Sequence, residues 1–179
     1  FVYKQYNLER GMEMELQKVL KELITYPTEA NWFEFKVNWY EPNGIGEYIS
    51  SLANAAAMGG RECGYLVWGV DNDSHEIVGT SFNYRTTVRN EPLEHYLARQ
   101  IVPDNSFSFH EIMIEGKRVV VLIVSAANKI PTGFAGNRYM RIGSSKVNLN
   151  KYPERESNLF HILRVGLPTI CNTESEYQD

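Results

Sequence analysis

Cysteine is scarce. The 179 residues hold only Cys63 and Cys171, too few and too far apart for a disulfide framework or a Cys-x-x-Cys metal site. A reducing, cytoplasmic setting is therefore expected. No apolar run approaches the roughly 18 residues that a membrane span needs, so no membrane association is expected. The opening Phe1-Val2-Tyr3-Lys4-Gln5-Tyr6 contains no apolar stretch of the kind a secretory leader carries. The missing initiator methionine is read as a processed end or a piece of a longer chain. Internal repeats, low-complexity tracts and linkers are absent too. None of the four histidines has a metal-ligating side chain three or four residues further on. Serine hydrolysis has no support either, since no Gly-x-Ser-x-Gly elbow occurs.

What is present fits one domain with its own core: 43% of residues are hydrophobic and 22% charged. The net charge of −4 argues at first against a polyanionic partner. Its distribution is uneven, however. Residues 29–115 hold 13 acidic and 5 basic side chains. Residues 116–153 hold seven basic ones (Lys117, Arg118, Lys129, Arg138, Arg141, Lys146 and Lys151) and no acid, and Glu174, Glu176 and Asp179 close the chain. Either a positive face stands beside an acidic one, or strands of the two halves interleave and their charges mix. Both arrangements remain open.

Periodicity outlines the elements. Leu8, Met12, Leu16, Val19, Leu20, Leu23 and Ile24 recur at helical steps and predict a helix over residues 6–25, stopped by Pro27. Residues 31–39 alternate, with Phe33, Phe35 and Val37 on one side and Glu34, Lys36 and Asn38 on the other, as a half-buried strand does. Residues 43–46 read as a turn and 47–58 as a small-residue helix packed closely on a sheet, capped by Gly59-Gly60. Residues 64–70 are nearly all apolar and predict a central strand covered on both faces. A turn at 71–75 and a short returning strand at 76–79 follow. Glu91-Pro92 opens a helix with Leu93, Tyr96, Leu97 and Ile101 inward. Residues 107–114 and 119–124 form a hairpin around Gly116, residues 138–142 a further strand, and residues 153–163 a closing helix. The expected fold is a single mixed α/β (α+β) domain, its mixed sheet flanked by helices. It is organised as an N-terminal helix over 1–25, a core over 26–165 and a tail over 166–179.

Two constellations carry chemistry. Glu34 and Lys36, two apart on a strand, point the same way, and Asp71 stands at the mouth of the central strand, a usual place for site residues. Carboxylates converging on Mg²⁺ or Mn²⁺ beside a lysine suit phosphodiester chemistry. Glu29, five residues before Glu34, joins them only if residues 27–31 bend. The same residues also suit a solvated strand edge and a turn aspartate. Asp71-x-Asp73 fails as a calcium loop because its sixth position is Glu76, and Gly44-x-Gly46 lacks the third glycine of a dinucleotide fingerprint. The second constellation runs from Arg138 through Tyr139, Arg141, Gly143, Ser144 and Ser145 to Lys146. It offers guanidinium forks, hydroxyls and amides, the groups that contact a nucleic-acid backbone, and it equally suits a solvated hairpin.

Taken in order, Glu29-x4-Glu34-Phe35-Lys36, Ala53-Asn54-Ala55, Gly60, Gly69-Val70-Asp71, Ile77-Val78-Gly79, Ile130-Pro131 and Tyr139-Met140-Arg141-Ile142-Gly143-Ser144-Ser145 resemble the Schlafen/AlbA-type DNA-binding domain over about residues 26–163. The resemblance implies an AlbA-like, Schlafen core-like fold, DNA or RNA as partner, and a place in a longer bacterial transcriptional-regulator-like protein. Arg138, Arg141, Ser144, Ser145 and Lys146 would then grip phosphates, with Lys117, Lys129 and Lys151 adding field. It also implies an alternative. Vertebrate Schlafen relatives use two glutamates and an aspartate as a metal-dependent endoribonuclease centre, here Glu29, Glu34 and Asp71 with Lys36 beside them. Asp73 competes for the aspartate's place, and the cofactor would be Mg²⁺ or Mn²⁺. One copy of the domain would need to pair as a homodimer to build a comparable groove. A third reading is a protein-interaction module that uses Trp32, Trp39 and Tyr40.

Overall fold

The computed structural model describes residues 2–166; Cys171, Glu174, Glu176 and Asp179, with the rest of the expected tail beyond Gly166, lie outside them. The amphipathic N-terminal segment forms α1 (Val2–Leu23). The alternating segment gives β1 (Phe33–Lys36), shorter than its pattern predicts. The small-residue segment gives α2 (Pro42–Met58), and the apolar run gives β2 (Cys63–Trp68). Two short strands, β3 (Thr87–Val88) and β4 (Glu91–Pro92), precede a short α3 (Leu93–Ala98) and β5 (Ile101–Val102). Then come β6 (Phe107–Ile114), β7 (Lys117–Ser125), β8 (Gly133–Phe134), β9 (Asn137–Ile142), β10 (Ser145–Asn148) and α4 (Pro153–Val165). Among these residues no helix is long and apolar enough to cross a membrane.

The main sheet has the order β1-β2-β7-β6, with β1 and β2 parallel and the other pairs antiparallel. Alternation decides which residues meet which helix. Phe33, Phe35, Val67, Val119 and Val121 point to the face covered by Leu16, Leu20 and Leu23 of α1. Leu66, Trp68, Val120, Leu122 and Val124 point to the opposite face, against Ile45, Ile49 and Leu52 of α2. By the same alternation Glu34 and Lys36 lie on the α2 side. The β6–β7 hairpin turns at Glu115 and Gly116, both at positive φ (53° and 72°), as a two-residue turn matched to strand twist requires.

A second, antiparallel sheet of order β10-β9-β8-β5 lies on the far side of α2, so α2 is sandwiched between two sheets. Its residues facing that sheet are small or amide-bearing. The Ser50 hydroxyl donates to Thr132 O (2.7 Å) and accepts from Tyr139 N (2.9 Å). Asn54 Nδ2 donates to Thr132 O (2.9 Å) and Tyr139 O (2.8 Å), while its Oδ1 accepts from Thr132 N (2.8 Å).

Several expectations change. Residues 43–46 are not a turn: Gly44 and Gly46 lie inside α2, which begins at Pro42. A Cβ on Gly46 would stand 2.2 Å from the Phe134 ring, and one on Gly44 2.7 Å from the Trp39 ring. Clearance for aromatic rings, rather than a phosphate cradle, explains both glycines. Ile101 leaves the helix and pairs with Phe134 in β5. The returning strand at 76–79 reduces to a single bridge between Val70 and Ile77. Leu8 and Met12, expected inward, are 68% and 50% exposed, because only the later part of the apolar stripe of α1 meets the sheet.

Candidate functional site

The site begins at the open edge of β1. In a parallel pair, alternate backbone groups of an edge strand point away from the sheet, and here Phe33 O and Phe35 N do so. A bend after α1, with Phe33 N bonded to Ala30 O (3.3 Å), brings Glu29 back to this edge. Its Oε1 accepts from Phe35 N at 2.6 Å. Arg141 of β9 reaches across from the second sheet. Its Nη1 donates to Phe33 O (3.1 Å) and to Glu34 Oε2, and its Nη2 lies 3.4 Å from Glu29 Oε2. The two side chains close the edge of β1.

Glu34 is only 5% exposed and Arg141 only 2%. The other carboxylate oxygen of Glu34 takes Lys36 Nζ at 2.6 Å and the Tyr48 hydroxyl at 3.1 Å. Lys36 also stands over the rings of Trp39 and Tyr48 (5.6 and 5.4 Å). Lys146, paired across the hairpin with Arg141, binds Glu47 at 2.5 Å and lies over the other partner of this cluster, Tyr48. A connected row of charges thus runs from Glu29 through Arg141, Glu34 and Lys36 to Tyr48.

Environment separates the two glutamates. Burial raises the Glu29 carboxyl to about 7, helped by the neighbouring Glu34 carboxylate and opposed by Phe35 N–H and Arg141. Burial also works against the charged form of Glu34, but Arg141, Glu29 and Lys36 outweigh it and hold its pKa below the ordinary value. Lys36 rises because Glu34 outweighs its own desolvation.

Asp71 takes another place. Its Oδ1 accepts from Asp73 N (3.0 Å), Ser74 N (2.8 Å) and the Ser74 hydroxyl (3.0 Å), which lower its pKa. This is a side-chain-capped turn. Asp73, rather than Asp71, borders the cleft of about 500 Å³ that Glu29, His75, Gly143 and Ser144 also line. Glu29 and Glu34 converge as the metal-site expectation requires, but the cation between them is the Arg141 guanidinium. Among the described residues no group of three or more His, Cys, Asp or Glu is placed to hold a metal ion. As arranged, these residues do not fit a resident Mg²⁺ or Mn²⁺.

The expected phosphate contacts divide. Arg138 is bound to Glu156 (3.0 Å), Lys146 to Glu47, Lys117 to Ile77 O (2.7 Å), and Arg141 is interior. With Arg118 paired to Glu111 (2.8 Å), much of the basic stretch is interleaved with acids from elsewhere. Ser144 and Ser145 stand exposed at the β9–β10 tip, where Gly143 has φ 61°. Lys129 and Lys151 are exposed as well. Of the aromatics proposed for protein contact, Trp32 is buried under the Arg61 guanidinium (3.6 Å), Trp39 is half-buried and Tyr40 is exposed.

One residue escaped the sequence reading. Arg155 lines a second cleft of about 480 Å³ with Asn31, Trp32, Met58, Arg141 and Gly143. In the sequence it sits between Glu154 and Glu156 in the first turn of a helix, where it reads as one of several solvated charges. Only the tertiary placement of α4 distinguishes it.

Residues 29–150 match the model of the family described as Schlafen, AlbA_2. Among curated proteins nothing matches. Two solved structures are similar. The crystal structure of the DIP2311 protein from Corynebacterium diphtheriae is 15% identical with a TM-score of 0.49, over 77% of this chain and 27% of that one. The solution structure of the N-terminal domain of an ATP-dependent DNA helicase RecG-related protein from Nitrosomonas europaea is 24% identical with a TM-score of 0.43, over 72% and 88%. The chain spans about a quarter of the length of the first.

Proposed function

The chain belongs to the Schlafen, AlbA_2 family, and on that premise we propose that it is a nucleic-acid-binding domain. Its binding face is the β9–β10 tip and the two clefts beside it. The observation that carries this reading is the tip itself. Gly143 borders both clefts, the exposed Ser144 lines the first and Arg155 the second, and Ser145 is exposed beside them in the chain. Hydroxyls and guanidinium groups of this kind contact phosphates and set the register of a bound strand. Lys129 and Lys151 add to the field at longer range. Through Nη1 and Nη2, which meet Glu34, Phe33 O and Glu29, Arg141 fixes the hairpin against β1. A role in a transcriptional-regulator-like protein, and pairing of two copies to widen the groove, extend the same reading.

If Arg155, Lys129 and Lys151 each come to neutralise a phosphate, affinity falls by about the second to third power of salt concentration. Labelled single- and double-stranded DNA and RNA, titrated across 50–300 mM salt (roughly the range over which phosphate contacts weaken), test it. A flat response, or no shift at any salt, removes the reading.

A metal-dependent endoribonuclease on Glu29, Glu34 and Asp71 is the second reading. The convergence of Glu29 and Glu34 beside Lys36 favours it, and the place taken by Arg141 opposes it. RNA incubated with Mn²⁺ or with EDTA and run on a denaturing gel separates the two: metal-dependent cutting that Glu34→Gln abolishes supports cleavage.

A further inference from the structure

The second cleft contains an unusual pair of groups. Arg141 Nε is the one buried side-chain nitrogen or oxygen among the described residues with no hydrogen-bond partner. The other two guanidinium nitrogens are engaged by Glu34, Phe33 O and Glu29, so the orphan is not a free side chain waiting to turn. A buried donor without an acceptor is costly and calls for a partner that a ligand or an ordered water supplies. Arg141 forms part of the wall of this cleft, and Arg155, exposed and with no partner among the described residues, forms another part.

The rest of the lining is complementary in a different way. Met58 and Met140 give polarisable apolar walls, and Trp32, whose ring carries the Arg61 guanidinium at 3.6 Å, also borders the cleft. Gly59 closes α2, whose C-terminal end carries partial negative charge. That end disfavours a phosphate and favours the amino edge of a base. Two carboxylates qualify the positive side: Glu156 is occupied by Arg138 (3.0 Å), and Glu154 is exposed to solvent. The volume of about 480 Å³ falls in the range that holds a small ligand, about 300–1,000 Å³.

We infer that this cleft is a subsite for one nucleotide, with its phosphate at Arg155 and Arg141 and its base against Trp32, Met58 and Met140. The inference rests on the nucleic-acid reading and specifies where on that face a single nucleotide is held. The nucleotide belongs either to a bound strand or to a free nucleoside monophosphate, whose chemistry is the same.

The test uses the whole chain, titrated separately with a single-stranded oligonucleotide, adenosine 5′-monophosphate and inorganic phosphate. The Arg141 Nε–H resonance is followed by NMR, and each affinity is compared between the wild type and Arg155→Ala. Arg155 is exposed, so the variant folds, which its melting curve checks. The expected result is a shift of the Nε–H signal on binding and an affinity reduced by about tenfold or more in Arg155→Ala. Lys129→Ala should have a smaller effect on the oligonucleotide and none on the monophosphate. If the oligonucleotide binds but Arg155→Ala binds equally and the signal does not move, the subsite is wrong and the nucleic-acid reading stands. If only the monophosphate binds, and does so through Arg155, the subsite stands and the nucleic-acid reading falls. Binding of neither overturns both and leaves water as the partner of Arg141 Nε.

Discussion

Arg141 pairs inside the fold with Glu34, 107 residues earlier in the chain. The pair joins the edge of one sheet to the hairpin of the other and so sets where the β9–β10 tip stands. Removing one partner leaves a buried charge with only its second counter-charge, Lys36 for Glu34 or Glu29 for Arg141, which costs up to about 3–5 kcal/mol. Arg141→Met and Glu34→Gln should therefore each lower stability by that amount in urea unfolding, and the double variant by clearly less than the sum. Additive losses would show that the two side chains are not coupled.

Glu29 should give stability an unusual pH slope. Its carboxyl is raised to about 7 from an ordinary 4.5, so the folded state holds the proton more tightly than the unfolded one. The contribution is fully present below about 4.5 and is lost as pH rises through about 7. Glu34, held low, loses its contribution only below the ordinary carboxylate range and does not interfere in that window. Melting temperature should fall between these two values in the wild type, and the fall should be smaller in Glu29→Gln. Parallel curves for the two proteins would contradict the raised carboxyl.

Asn54 fastens α2 to the second sheet through three hydrogen bonds to Thr132 and Tyr139. Asn54→Leu takes this partner from Thr132 N and Tyr139 O, while Thr132 O keeps the Ser50 hydroxyl, at about 1–3 kcal/mol for each group that finds no other partner. Amide exchange at Thr132 should accelerate before global unfolding. Unchanged exchange would mean that the sheet holds its place without Asn54.

Gly46→Ala tests why a glycine lies inside the helix. Its Cβ would overlap the Phe134 ring at 2.2 Å, so packing strain should outweigh the gain in helix propensity of about 1 kcal/mol. Destabilisation is expected in chemical denaturation, with partial recovery when Phe134→Leu is added. A stabilised Gly46→Ala would refute the close approach.

Much of this architecture is legible in local pattern. Helical steps locate α1 and α4, the uninterrupted apolar run locates β2, and Gly116 marks the β6–β7 turn. The five-residue spacing of Glu29 and Glu34 shows that they meet only across a bend, and the chain bends there, with Phe33 N bonded to Ala30 O. Arg141 was not legible in its true role. Strand alternation shows only that Glu34 and Phe33 face opposite ways, and α2 and β9 cover the side that looked solvated. Likewise Gly44-x-Gly46 has the composition of a turn, and its placement in α2 follows from the Trp39 and Phe134 rings, which contact order in sequence does not reveal. Charge segregation in the sequence is partly undone in space for the same reason: Arg141 and Lys146 meet Glu34 and Glu47, and Arg138 meets Glu156, while Lys129 and Lys151 stay exposed.

The most direct test of the central claim is a salt titration of labelled single-stranded RNA and DNA binding, comparing the wild type with the Lys151→Ala/Arg155→Ala double variant. Affinity should fall by about the second to third power of salt in the wild type, with a slope shallower by up to about two in the variant. Binding that ignores salt and is unchanged by the double substitution, or no binding at all, would contradict it.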